Sequence, residues 1–492
     1  MSGARTIVSR AALAALLAGP AVLAFFAGGY FDVPREWAGL VAWVLVVVAL
    51  LAWPPGSGCS PIPARLGGRL AILGLALFGA WTLVSSTWAP EAGPAYHAGE
   101  LVFVYVGVLL AAVALLQSRQ SIRAVEPILA LGTLAVIGYG ISERLLPGLL
   151  QFARSLSAQG RLEQPLTYWN AMGEVAALGF VLCARLAGDE DRPRAMRVAA
   201  AAANAPFGMG LYLTFSRAAL FACGAGVVTL LVSSSTRQQL RALTLAICAG
   251  VLASLAAAPF KGVTSLAGSG ATRERQGAIV LALLVLIAAV AALTQLRLAR
   301  AGRAGDLPMP PRAGLIATAL ICAGLALSIV VGAKEKGGRP LSAGATRLTT
   351  LQSNRYAYWR VAARAFADEP LRGVGAGGWA VYWLRYRPFD EFAQDAHSLP
   401  LQTAAELGLI GLVLLGMFLA GVGAAALEAD RVAPALAAGP IAGLVTYAVH
   451  APLDWDWQMP AVTIIAIVLA GTLIAVAEPA VKAPRQSAEP LA

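Results

Sequence analysis

GAIVLALLVLIAAVAALTQL, residues 277–296, runs without a charge or a proline, and arginines bracket it: Arg273 and Arg275 before, Arg297 and Arg300 after. About 20 apolar residues is what an α-helix needs to cross a hydrocarbon core about 30 Å thick. Working outward, comparable runs recur along the whole chain. They begin with Ala11 to Phe31, read as an uncleaved first span, and end with Leu401 to Leu427, Ala433 to His450 and Pro460 to Ala477. We count fourteen. The fold class is therefore an all-α polytopic membrane protein of about fourteen transmembrane helices. Residues 1–333 supply helices one to eleven, 334–400 form one large external loop with short helices, 401–477 supply helices twelve to fourteen, and 478–492 form a disordered cytoplasmic tail.

Composition agrees. Of 492 residues, 58% are hydrophobic and 13% charged, and the mean hydropathy is +0.71. These values exclude a soluble enzyme, and without a soluble domain nucleic acid is not an expected partner. Cys183, Cys223, Cys248 and Cys322 lie inside apolar runs and only Cys59 in a loop, so neither disulfides nor a cysteine metal site is expected. The net charge of +11 comes almost wholly from arginine, which suits phosphate, in lipid head groups or in a substrate.

With the N-terminus inside, every short even-numbered connection carries arginine, among them Arg65, Arg69, Arg119, Arg123, Arg192, Arg194 and Arg303, as the positive-inside rule requires. Three outer segments break the rule. They are Glu143 to Tyr168, Pro259 to Gln276, and Lys334 to Pro400 with its ten basic residues. Long translocated loops often ignore the rule; an external anion site is the functional alternative.

Within the large loop, NRYAYWRVAARAFADEP (354–370) has the spacing of an amphipathic helix ended by Pro370. Arg355, Trp359, Ala362 and Phe366 share one stripe and Arg360 and Arg364 the other, so Arg355 is expected to meet an anion. RGVGAGGWAVYW (372–383) reads as a flexible turn, since no strand precedes its glycines. In DAHSLPLQTAAELG (395–408), Ser398 can cap the next span, leaving His397 at the positive end of a helix dipole beside Asp395. A neutral imidazole there suits a general base for a hydroxyl. Arg217, in TFSRAAL, starts another span with no carboxylate adjoining it in sequence. HAPLDWDWQMP (450–460) offers His450, Asp454 and Asp456 between tryptophans, a composition typical of an interfacial belt. Two carboxylates alone are weak grounds for a divalent ion, and three histidines in the chain make a histidine zinc site implausible. Glu174 is the main ionisable residue within the spans.

Together these stretches resemble the O-antigen ligase and polymerase superfamily of bacterial envelope glycosyltransferases. The similar features are Ser216 and Arg217 at a helix start; Arg355 and Trp359 followed by Pro370, Gly373, Gly375 and Gly377; and His397 ahead of Leu401, Gly408 and Gly411. Arg161 and Asn170 in RLEQPLTYWNAMGE add a looser match. Ser398 stands where the family often has asparagine, and an extra helical hairpin lies between Arg217 and Arg355. The resemblance implies a GT-C-like fold in the bacterial cytoplasmic membrane with its active site on the external, periplasmic side. It implies inverting transfer of a glycan from an undecaprenyl pyrophosphate carrier to a hydroxyl of a lipid, glycan or protein acceptor. Nucleotide sugar, cofactor and metal are not expected. Arg217, Arg355 and Arg161 would hold the pyrophosphate and His397 would take the hydroxyl proton. Asp395, Asp454, Asp456 and His450 would touch the acceptor or serve structure. A polymerase or a protein O-oligosaccharyltransferase would use the same residues. A lipid-linked glycan flippase or small-anion transporter is the alternative of another class, disfavoured because so few ionisable residues lie at midplane.

Overall fold

A computed structural model describes residues 2–52, 62–300, 305–308, 310, 312–332, 344–348 and 353–479. Cys59, Arg303, the segments 333–343 and 349–352 of the large loop, and the tail from residue 480 lie outside the described residues. Seventeen α-helices are described, with no strand among the described residues: α1 (Ser2–Ala24), α2 (Asp32–Leu51), α3 (Leu66–Val84), α4 (Ala92–Leu115), α5 (Arg119–Leu145), α6 (Trp169–Gly188), α7 (Arg194–Thr214), α8 (Arg217–Ser233), α9 (Arg237–Ala257), α10 (Lys261–Thr264), α11 (Gly270–Arg300), α12 (Ala313–Gly332), α13 (Arg355–Asp368), α14 (Gly378–Tyr386), α15 (Leu399–Val432), α16 (Pro434–His450) and α17 (Pro460–Ala477). Each of the fourteen apolar runs is a helix. Ten are long and apolar enough to cross a membrane, and α8 and α12 contain shorter apolar stretches.

The bundle is organised around α6 and α17, both buried along their whole length. Small residues let helices approach closely, as expected where packing rather than hydrophobicity drives association. Where α3 meets α15, a Cβ on Gly74 would fall 2.5 Å from the Phe418 nitrogen, and one on Gly421 2.3 Å from the Ala71 nitrogen.

Two departures from the sequence reading shape the site. The first helix stops at Ala24 instead of Phe31, because Gly28 and Gly29 turn the chain through φ +69° and +78°. Tyr30 and Phe31 thereby leave the bundle wall and line a cavity. Helix α15 is longer than expected and is interrupted at Gly408, φ +64°. The glycine turn after α13 is no loose connection. It docks on that interruption, with Val374 N donating to Ala405 O at 2.9 Å, Gly375 N to Glu406 O at 2.8 Å and Leu409 N to Pro370 O at 2.9 Å.

The connections segregate to two ends. At one, Arg144 donates to Val263 O and Gly160 O, joining the α5–α6 and α9–α11 connections. Trp88, between α3 and α4, donates to Gly373 O. At the other, Arg192 pairs with Glu126, Arg65 with Glu428, and Arg237 N donates to Gly305 O.

Candidate active site

The first end holds a cavity of about 470 Å³. Helices α6, α8 and α13 begin at its wall, and Met459, the residue capping α17, lines it too. Helix starts carry free N–H groups and the positive ends of their dipoles, so the position alone favours an anion. Four arginines add permanent charge: Arg161, Arg217, Arg347 and Arg355 all line the cavity, together with Asp395 and His397.

Each is held by a different device. Phe215, in the left-handed region, ends α7, and the Ser216 hydroxyl accepts from Ala219 N at 3.3 Å to start α8 at Arg217. Arg161 donates to Ala158 O at 2.8 Å and Ser157 O at 2.7 Å and lies 3.6 Å over the Trp169 ring. Burial pushes its guanidinium down to about 9, and Arg347 and Arg355 add repulsion. Arg347 is pushed to about 10 by burial and by its arginine neighbours. Arg355 starts α13. Burial would lower it, but Asp454 and Tyr168 outweigh that and hold it above the usual value. Its guanidinium pairs with Asp454 at 2.5 Å. A cluster of like charges in a partly dry pocket gains most from an added anion.

Helix α13 packs through Ala357, Tyr358, Val361, Ala362 and Ala365. That face is rotated from the expected stripe, because Tyr358 must fill the space beside Trp383. Arg360 and Arg364 remain exposed, with Arg364 3.8 Å over the Tyr386 ring.

His397 sits just before α15 with φ +53°, a conformation that is uncommon outside glycine and tends to persist at functional sites. Its ring packs between Tyr358 and Trp455. The Nδ1 lies 2.9 Å from the Asp395 carbonyl oxygen, which can only accept, so Nδ1 carries the proton and Nε2 of the neutral ring keeps its lone pair. Burial lowers the His397 pKa despite the opposing pull of Asp454. Burial likewise raises the Asp395 carboxyl to about 6. Ser398 does occupy the capping position of α15, but its side chain makes no capping hydrogen bond.

The Asp-Trp-Asp stretch lies differently from expectation. Asp454, Asp456 and His450 are each fully buried and none lines the arginine cavity. Asp454 accepts from Tyr168 OH at 2.7 Å and Trp455 N at 2.9 Å as well as from Arg355. Burial would raise its carboxyl, but Arg355 and the neighbouring histidines hold it low. Asp456 pairs with His450, whose Nδ1 is also 4.0 Å from Glu174, and burial raises its carboxyl. Trp457 is no belt residue: it is buried against Tyr105 and Phe78. Two arginines of the rule-breaking outer segment are also structural, Arg144 through its carbonyl contacts and Arg154 through Glu143.

Fold and cavity together define a polytopic helical membrane protein with an arginine-walled cavity that a histidine also lines. Residues 262–416 match the family model described as O-antigen ligase. The match covers roughly a third of the chain, and Arg347, Arg355, Asp395, His397 and the docked glycine turn fall inside it. It supports the superfamily that the motifs resemble, and with it a membrane glycosyltransferase of the ligase and polymerase kind acting on lipid-linked glycan. No curated protein matches the chain.

Proposed function

We propose that the protein transfers a glycan from an undecaprenyl pyrophosphate carrier to an acceptor hydroxyl at the outer face of the bacterial cytoplasmic membrane, as an O-antigen ligase does. The observation that supports this most is the meeting of Arg161, Arg217, Arg347 and Arg355 with His397 in one cavity. In the proposed step the acceptor oxygen attacks the anomeric carbon and passes its proton to Nε2 of His397. The new C–O bond forms as the bond to the pyrophosphate oxygen breaks on the opposite face, which inverts the anomeric centre. The departing pyrophosphate takes the electron pair, and the guanidinium groups stabilise its charge with planar, permanently ionised donors. His397 then gives its proton to water.

Arginine rather than a divalent ion fills the electrostatic role in this account, because Asp454 is engaged by Arg355, Tyr168 and Trp455, and Asp456 by His450. Purified protein given carrier-linked glycan should therefore transfer it in the presence of EDTA, and His397→Ala should cost about a hundred- to ten-thousand-fold in rate. Loss of activity in EDTA with recovery in magnesium or manganese would rule out the arginine-only mechanism. A polymerase would use the same cavity. Glycan analysis of a strain lacking the protein separates the cases: unligated carrier-linked polymer marks a ligase, single repeat units a polymerase, and accumulation on the cytoplasmic side a flippase.

A further inference from the structure

The two carboxylate oxygens of Asp454 are used unequally. Oδ1 accepts from Tyr168 OH at 2.7 Å and from Trp455 N at 2.9 Å, while Oδ2 is left to Nη2 of Arg355. An arginine that meets both oxygens of a carboxylate commonly closes on them with two parallel hydrogen bonds. Here a hydroxyl and a backbone N–H already stand on Oδ1, so the pair is one-armed. Asp454 engages the guanidinium through Nη2, and the remaining N–H groups of Arg355, a residue of the cavity wall, stay available to an anion.

Tyr168 is itself held firmly. Its ring lies 4.9 Å from that of Trp169 and 4.7 Å from that of Trp455. Its hydroxyl has a single proton, which goes to Asp454 because an ionised carboxylate can only accept. Asn170 Nδ2 donates to the same hydroxyl oxygen at 2.7 Å, occupying a lone pair and fixing the direction of that proton. Both residues sit at the start of α6, Tyr168 in the capping position and Asn170 in the first turn. The chain bends sharply to place them: Thr167 has φ +64°, a backbone conformation that β-branched residues rarely adopt and that persists where the surroundings impose it.

We infer that Tyr168 is a positioning residue for Arg355: its hydroxyl, oriented by Asn170, reserves one oxygen of Asp454 and so keeps the arginine's fork open toward the pyrophosphate. The inference rests on the anion-binding role proposed above for the cavity. Without the hydroxyl, Oδ1 regains room for a second guanidinium N–H, and Arg355 closes on the aspartate at the expense of the anion.

Tyr168→Phe keeps the ring and removes only the hydroxyl. Inorganic pyrophosphate is titrated, in EDTA, into the full-length protein in nanodiscs, with the fluorescence of Trp169 and Trp455 in the cavity wall as the signal. The unsubstituted protein should bind it. Tyr168→Phe should bind about fivefold more weakly, the scale of one net hydrogen bond, at an unchanged melting temperature. Asn170→Ala, which frees the hydroxyl to turn, should shift affinity in the same direction by a smaller factor. Arg355→Lys should bind about tenfold more weakly, and adding Tyr168→Phe to it should cost less than about twofold more, because an ammonium has no second edge for the hydroxyl to keep open. Unaltered or tighter binding in Tyr168→Phe, or the same fivefold loss in the Arg355→Lys background, overturns the inference and leaves the anion site standing. Failure of the unsubstituted protein to bind pyrophosphate overturns the anion-site reading itself, and the inference with it.

Discussion

Arg355 reaches the cavity already gripped by Asp454, and this decides how its substitutions should behave. Its planar fork can keep one edge on the aspartate while another faces a phosphate; a lysine ammonium is a single point and cannot span both. Arg355→Ala and Arg355→Lys should both lower transfer about a hundredfold or more, while the exposed Arg360→Ala should be mild. A purified transfer assay in which Arg360→Ala is the more damaging change would refute the assignment. In the proposed step the neutral ring of His397 is the active form, and burial lowers its pKa. Activity should therefore be full at neutral pH and fall only below the ordinary histidine value of about 6.5. Asp395, raised to about 6, titrates nearby, so the profile should be repeated in Asp395→Asn, where the His397 limb should remain. The arginines and the histidine were legible from sequence because their residue types announce a chemistry. Asp454 as the partner of Arg355 was not, since nothing local joins residues so far apart in the chain. Arg347 was visible only as one of ten basic residues in its loop.

The turn from Gly373 to Gly378 shows why an element can be misjudged when all its residues are in plain view. Its glycines read as slack, yet they permit close contact. Gly373 has φ +69°, and a Cβ there would lie 2.3 Å from the Glu406 carbonyl carbon; at Gly408, φ +64°, it would lie 2.4 Å from Leu371 O. The turn and the interrupted helix form one clasp between α13, which carries Arg355, and α15, which His397 precedes. Gly373→Ala or Gly408→Ala should thus strain backbone and contacts together, costing on the order of 1–3 kcal/mol. Gly416→Ala, with nothing within 4 Å of the added methyl, should be neutral or slightly stabilising, since alanine is the better helix former. Thermal unfolding in detergent checks the contrast, and equal melting temperatures for all three variants would show that the clasp is loose. Every apolar run of the sequence proved to be a helix, because such a run is a local signal, and ten of these helices are long and apolar enough to cross a membrane. The docking of the clasp is tertiary and left only its glycines in the sequence.

At the scale of the whole molecule, the arginine-bearing even-numbered connections meet at one end of the bundle, and the connections that line the cavity meet at the other. By the positive-inside rule, the short loops are expected to place the first group in the cytoplasm, which predicts that the cavity opens outward. The odd-numbered outer segments keep their arginines without violating the logic of the rule: Arg144 and Arg154 are bound to carbonyls and Glu143, while Arg161, Arg347 and Arg355 converge on one cavity. Single cysteines in a background lacking the native ones test this orientation. Ser269, between α10 and α11, and Gln120, at the start of α5, are both exposed and belong to opposite ends. Ser269→Cys should react with an impermeant maleimide in intact cells, and Gln120→Cys only after lysis. The reverse pattern would put the arginine cavity and His397 on the cytoplasmic side, where a carrier-linked glycan transferred at the outer face could not reach them.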